Sequence, residues 1–416
     1  MRRIVLGGYW LPAALCCVAS LLPLGSQARA ESRRAAHPQA TRSLIPLPEI
    51  IVDPNEGTTV GFLPVVLFTT ETNSVRSFLA PDVRYNDITG VFPTFRFYDY
   101  PDPKQRYFLI AGKGTSRGEF AQANYAGEDL FNGWLDLRGN AEHEQDPFER
   151  FFGFGNDTPE SSEANFTSTT ETGALFTGLN LPQSFQVSLR TRVRHVRVGR
   201  GGVTSLKQVR EPSSGFATVR GVGGATIVGE RLGLTYDTRD FSAIPTRGVF
   251  ADGSVEIIDK AIGSSASFIK YGIEGKVFVP LQADKKYIVA LHAVLDYLQN
   301  GQNAPFYEKN SVGGIGSLRG FGSNRFTDNH RFFLQAELRS NVYARTLFGV
   351  LAHLEVAPFL DAGKVFKRSR EFPLEGLHVV GGVGFRAVVV PQVVAYVDIG
   401  TSGGSPVAFT GIDYPF

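Results

Sequence analysis

Between Ser184 and Arg197, Phe185, Val187, Leu189 and Val193 fall on one parity, and Gln186, Ser188, Arg190, Arg192 and Arg194 on the other. A period of two is that of an extended strand with one apolar and one polar face. The pattern is cleaner after Arg231. Leu232, Leu234 and Tyr236 oppose Arg231, Thr235, Asp237 and Arg239. Tyr287, Val289, Leu291, Ala293, Leu295 and Tyr297 oppose His292 and Asp296. Phe332, Leu334, Ala336 and Leu338 oppose Arg331, Gln335, Glu337 and Arg339. In the first third, the pattern predicts strands over Thr59–Thr70, Ser77–Asp87, Gly90–Tyr98, Gln105–Gly112, Glu119–Gly127 and Gly133–His143, followed by Thr170–Asn180. Pro64 and Pro93 weaken two of these. The polar stretch Glu144–Asn165 reads as a long outer loop, and residues 31–56, with Pro38, Pro46, Pro48 and Pro54, as a flexible periplasmic arm.

Alternation also suits a soluble sandwich. The character of the polar face decides between them: it carries Arg, Glu and Asp in mid-strand, between strand ends rich in Tyr and Phe. A membrane barrel has lipid outside, a charged lumen inside and aromatic girdles at its ends. No apolar run after residue 30 is long enough to span a bilayer as a helix. The fold class predicted is therefore all-β, a transmembrane antiparallel β-barrel over residues 57–416. At about 10 residues per strand plus connections, it holds about 16 strands.

One stretch breaks the alternation. Ser311–Gly322, SVGGIGSLRGFG, is dense in glycine and has a single arginine, Arg319. Such glycine density marks backbone in left-handed conformations or packed very close to something else. An enclosed arginine needs an anionic partner. The segment is expected to fold into the lumen, with five strands after it. In the strand around His353–Val365 the parity turns Asp361 inward, beside Ala362 and Gly363. The next strand, His378–Val388, turns Gly382, Gly384 and Arg386 inward. The expectation is that Arg319 pairs with Asp361 over a recess formed by Gly363, Gly382 and Gly384. The same spacing also suits a solvated loop arginine and a lumen aspartate among many.

Composition adds the compartment. Arg2 and Arg3, the apolar Leu11–Leu24 (with Pro12 and Pro23) and Ala28-Arg29-Ala30 before Glu31 read as a signal peptide over residues 1–30. The formal charge of +2 falls to −1 once those three arginines go. No basic tract stands out, so no nucleic-acid partner is expected. Cys16 and Cys17 both lie in the leader, so the exported part has no disulfide to rely on. Export, 46 glycines, 33 phenylalanines and strand patterning place the chain in the cell outer membrane of a Gram-negative bacterium.

Enzyme chemistry finds no support. The seven histidines are scattered without HExxH, and Glu142-His143-Glu144 reads as a solvated turn. Gly112-Lys113-Gly114 lacks the phosphate-loop spacing, and Gly314-Ile315-Gly316 has no following helix. No catalytic residue, metal or cofactor is expected.

The set Leu318-Arg319-Gly320-Phe321, Phe359-Leu360-Asp361-Ala362-Gly363 and Gly382-Val383-Gly384-Phe385 resembles the BamA/TamA superfamily of outer-membrane assembly and translocation proteins, the bacterial surface antigens. Gly233–Asp240 and Pro245-Thr246-Arg247-Gly248 belong to the same likeness, which is specific from about Arg231 onward. It implies a 16-stranded barrel whose arginine-glycine-aromatic loop enters the lumen, with Arg319 on Asp361 and Gly320 and Phe321 shaping the tip. Gly411, Tyr414 and Phe416 resemble the family's C-terminal assembly signal, read by the barrel assembly machinery, with Phe409 where a polar residue is usual. Residues 31–56 are too few for the family's periplasmic POTRA modules, so the likeness is to a member without them. The function implied is insertion or translocation of proteins, or lipid, with outer-membrane lipid, client proteins or a POTRA-bearing partner in contact. A passive pore or structural barrel is the alternative.

Overall fold

The computed structural model describes residues 42–69, 75–102, 104–347, 350–371, 374–389, 393–412 and 414–416. Twenty strands join one sheet and two form a separate hairpin. The first are β1 (Arg42–Asp53), β2 (Gly57–Thr69), β3 (Val75–Leu79), β4 (Asp82–Asn86), β5 (Gly90–Asp102), β6 (Gln105–Lys113), β7 (Glu119–Asp129) and β8 (Leu135–Phe151). Next come β9 (Ala164–Asn180), β10 (Phe185–Arg200), the short β11 (Lys207–Gln208), β12 (Ala225–Asp237), β13 (Gly248–Ile258), β14 (Phe268–Pro280) and β15 (Tyr287–Gln299). The hairpin is β16 (Asn310–Val312) with β17 (Phe326–Asp328). The chain closes with β18 (His330–Leu347), β19 (Val350–Phe366), β20 (His378–Val389), β21 (Val393–Thr401) and β22 (Val407–Ile412).

Each long strand pairs antiparallel with its neighbour along the chain, from β1–β2 to β21–β22. β3 and β4 share one wall position, both lying between β2 and β5. β11 adds only two parallel pairs to β9. The wall therefore has eighteen positions among the described residues, against the sixteen expected. The excess comes partly from the segment read as a periplasmic arm: Arg42–Asp53 is a wall strand, in register with β2 from Arg42↔Phe68 to Asp53↔Gly57. Residues 1–30 and 31–41 lie outside the described residues. Glu144–Asn165 is likewise partly strand, since β8 runs to Phe151 and β9 starts at Ala164, leaving a loop of 152–163.

The prolines that weakened the strand predictions sit where the ladders are broken. Pro64 faces Pro46 on β1, and on its other side lies the gap between β3 and β4. Pro93 pairs with Val83 just where the β5–β6 ladder ends. A residue without N–H costs least where no ladder bond is due.

Burial follows the parity. Leu232 and Leu234 are half exposed on the outer face, while Gly233 between them is buried. Arg192, Gln335, Glu337 and Arg339 are buried inside. Connections alternate in length. At one end lie 130–134, 181–184 and 281–286, at the other 152–163, 201–224 and 300–329.

The long connections fold inward and fill that end. Phe151, Phe166, Val198, Val209, Val222 and Phe306 form a buried cluster there. Glu308, beside it, accepts from Arg192 Nη2 at 2.9 Å, Arg194 Nη1 at 3.1 Å and Lys270 Nζ at 2.6 Å. Burial favours the neutral acid, but Arg192, Lys270 and Arg194 outweigh it and hold Glu308 well below the usual carboxylate range. A depressed pKa contributes stability that is present above the unfolded value, about 4.3, and is lost as pH falls. Glu308→Gln is therefore expected to lower the thermal midpoint at pH 7. The gap to the unaltered protein should narrow below about pH 4. A gap as wide at pH 3 as at pH 7 would show that Glu308 is not the anchor.

Candidate functional site

The segment Ser311–Gly322 lies inside the barrel, between β16 and β17. Its tip turns at Gly313 (φ +121°) and Gly314 (φ +85°), both left-handed. A Cβ on Gly313 would stand 2.4 Å from the carbonyl oxygen of Gly322. Gly314 N–H donates to the Phe321 carbonyl at 2.9 Å, closing the tip. Leu318 is fully buried among Val294, Val312, Phe326, Phe333, Phe359, Val365 and Val380, with Phe321 packed against this group.

Arg319 is fully buried, as is Asp361 on β19. The arginine donates to Asp361 three times: Nε to Oδ2 at 2.8 Å, Nη2 to Oδ1 at 2.6 Å and its own backbone N–H to Oδ2 at 3.1 Å. Nη1 reaches two further carboxylates, Glu337 Oε1 on β18 at 2.5 Å and Asp398 Oδ2 on β21 at 2.9 Å. The guanidinium lies over the Phe359 ring at 3.6 Å from its centroid. Arg386 on β20 donates to the same two acids, Glu337 at 2.8 Å and Asp398 at 3.1 Å. Arg339 Nε donates to Glu337 Oε2 at 3.0 Å. The planar fork of Arg319 thus ties the loop to three wall strands at once, which a lysine's point charge cannot match.

The expected glycine recess takes a different form. Gly382 leaves room for the Phe359 ring, at 2.3 Å from a would-be Cβ, and so sets the shelf on which Arg319 rests. Gly384 clears Arg386 and Asp398. Gly363 meets Phe333 on the neighbouring strand and not the loop. The wall glycine that touches the motif is Gly400 on β21, whose Cβ would stand 2.6 Å from the Arg319 carbonyl oxygen. A Cβ on Gly320 would stand 2.9 Å from both Val380 methyls. Glu337, Asp398 and Gly400 were not singled out from sequence, although Glu337 already stood on the inward parity.

The C-terminal residues divide between the last strand and the lumen. Gly411 is in β22, where a Cβ would meet the Tyr396 ring at 2.1 Å. Tyr414 and Phe416 follow the strand and turn into the lumen. Tyr414 Oη donates to Glu355 Oε2 at 3.0 Å, and Phe416 is buried with Phe278, Ile288 and Ala290. Phe409, odd in the sequence motif, is buried against Ile315 of the loop and Tyr396.

Among the described residues no cluster of His, Cys, Asp and Glu could hold a metal. His143 contacts Glu119 at 3.2 Å. One match to the nucleophile-elbow spacing, Gly400-Thr401-Ser402-Gly403-Gly404, escaped the sequence reading. It lies in the β21–β22 turn with no helix after it, so the elbow's strand–turn–helix setting is missing.

The Omp85 superfamily domain matches residues 107–386. The chain belongs to the Omp85 superfamily. Among solved structures, BamA from Haemophilus ducreyi lacking POTRA domains 1–3 matches with 15% identity and a TM-score of 0.53, over 91% of this chain and 74% of that one. CdiB from Escherichia coli matches with 11% identity and a TM-score of 0.48, over 92% of this chain and 68% of that one. This Omp85 chain therefore shares the BamA barrel fold. Its loop segment enters the lumen between β15 and β18, with five wall strands after it.

Proposed function

We propose that this barrel inserts or translocates protein, or lipid, at the outer membrane of a Gram-negative cell by opening between its first and last strands. The observation that carries this reading is the seam. β1 pairs along its full length with β2, yet among the described residues no backbone ladder joins it to β22. Among the described residues the side chain of Thr410 carries the hydrogen bonds across the seam. Thr410 Oγ1 accepts from Val52 N–H at 3.0 Å and donates to the Ile50 carbonyl at 3.1 Å.

The cause is readable in β1. In a strand, alternate residues turn their N–H and C=O groups to the same side. Ile50 and Val52 face the seam, so Pro46 and Pro48 do too, and neither has an N–H to give. A wall edge poor in donors opens at low cost and leaves groups to which an incoming strand can add. With the short connections facing the periplasm and the long loops outside, β1 begins on the periplasmic side. Client strands, outer-membrane lipid and a POTRA-bearing partner are the contacts this mechanism uses. The filled loop end weighs against a passive pore.

The test is a reversible lock. Cysteines replacing Ile50 and Thr410 are expected, once oxidised, to cut insertion of a client barrel into vesicles at least about tenfold, with recovery on reduction. Full activity in the locked form would remove the seam from the mechanism. If depletion in cells leaves other barrels and surface lipid unchanged while the purified protein conducts steadily in planar bilayers, the pore reading replaces this one.

A further inference from the structure

The lumen holds a second packed site, on the inner face of β14, β15, β18 and β19. Phe416 lies in a pocket made by Phe278, Ile288 and Ala290, with its ring stacked on His292 at 5.1 Å between centroids. Arg339 covers it. The guanidinium carbon is 5.3 Å from the Phe416 ring centroid and 3.8 Å from that of Tyr414, and Nη2 donates to a main-chain oxygen of Phe416 at 3.1 Å. Glu355 accepts from the Tyr414 hydroxyl. Arg339 Nη2 and Glu355 Oε2 are thus both bonded to the segment, and the apolar part of the pocket takes one ring.

This pocket shares a residue with the loop lock. Glu337 gives Oε2 to Arg339 and Oε1 to Arg319. A segment that sandwiches Arg339 fixes the guanidinium, which fixes Glu337, which holds Arg319. A second contact runs in parallel, since Phe409 of β22 packs on Ile315 of the loop. The strand at the seam is thus connected to the loop through its own continuation.

We propose that the pocket of Phe278, Ile288, Ala290, His292, Arg339 and Glu355 is a binding site for an extended peptide segment with aromatic residues two apart. It is occupied here by Tyr414–Phe416, and its occupancy holds the Arg319 loop in place. The geometry sets the ligand class. Two rings must lie against one guanidinium, the first must carry a hydroxyl for Glu355, and a main-chain oxygen of the second must meet Arg339. Departure of the segment frees Arg339 and loosens the loop, so movement of the last strand and release of the loop are one event.

The experiment needs no client and stands apart from the seam mechanism. The barrel is expressed from residue 31, which removes both native cysteines, and Ser323→Cys supplies the sole thiol beside the motif. The readout is the rate of maleimide labelling in detergent, with strand content and heat-modified mobility as folding checks. Tyr414→Ala with Phe416→Ala is expected to speed labelling about tenfold, the scale of losing one bond to a charged group. Tyr414→Phe, which loses only the bond to Glu355, should speed it a few-fold and carries little folding risk. In an Arg319→Ala background neither change should add anything. A free peptide Gly-Ile-Asp-Tyr-Pro-Phe at millimolar concentration should slow labelling of the double variant again, and the same peptide with both aromatics as alanine should not. Unchanged labelling in the tail variants, additivity with Arg319→Ala, or a peptide without effect would overturn the proposal.

Discussion

Arg319→Ala is expected to be the most damaging single change in the lumen, lowering stability in a urea titration of the vesicle-refolded barrel by about 3–5 kcal/mol. The size follows from what is left behind. Asp361, Glu337 and Asp398 each lose a bond from the same guanidinium, and all are buried. Removing one partner of a buried ion cluster costs more than the cluster contributes, because the remaining charges cannot regain water. Arg319→Lys should rescue little, since one ammonium cannot span Asp361 and the Glu337–Asp398 pair together. Asp361→Asn should cost less than Arg319→Ala, because Glu337 and Asp398 still hold the arginine. The double variant should cost about as much as Arg319→Ala alone. Protease tests the same point. Trypsin should cut after Arg325 in the Arg319→Ala barrel under conditions that leave the native chain whole. A loss below about 1 kcal/mol, the usual yield of a solvated pair, would mean that the loop is held by its apolar contacts.

The pairing of Arg319 with Asp361 was legible because it needed only parity and one lone arginine in a glycine-rich segment. The other two acids were less so. Glu337 stood on the inward face in the sequence, but nothing local shows that it lies beside Asp361. The β18–β19 register, which sets Glu337 opposite Phe359, decides that. Asp398 depends on the β20–β21 register in the same way, facing Gly384. Registers across long connections are poorly fixed by local pattern. Missing β1 had a different cause. Four prolines in 31–56 read as a loop, but two of them, Pro46 and Pro48, lie at the edge of the sheet, where a missing N–H costs nothing. The polar run from Glu144 misled because both of its faces are polar, as suits a strand that continues past the lipid into the filled end. The lumen position of Tyr414 and Phe416 was not legible, because a terminal aromatic says nothing of which face it takes.

Gly400→Ala is expected to dislodge the loop almost as effectively, although the residue has no functional group. Its Cβ would stand 2.6 Å from the Arg319 carbonyl oxygen and 3.0 Å from the carbonyl carbon, with Val380 at 3.1 Å on the other side. Backbone cannot swing away as a side-chain end can, so either the motif or β21 must move. Overpacking of this kind costs about 1–3 kcal/mol. Alanine should otherwise favour a strand over glycine by about 0.5–1 kcal/mol, so a loss carries the opposite sign to the local preference. Gly381→Ala supplies the control. It lies on the adjacent β20, where nothing comes within 4 Å of a would-be Cβ, and should show only the local preference, a gain of about 0.5–1 kcal/mol. Combining Gly400→Ala with Arg319→Ala separates the two causes. If the glycine serves to admit the motif, its substitution costs little once the loop has already been released. If the two losses add, Gly400 serves the β21 ladder and the loop seat is set elsewhere.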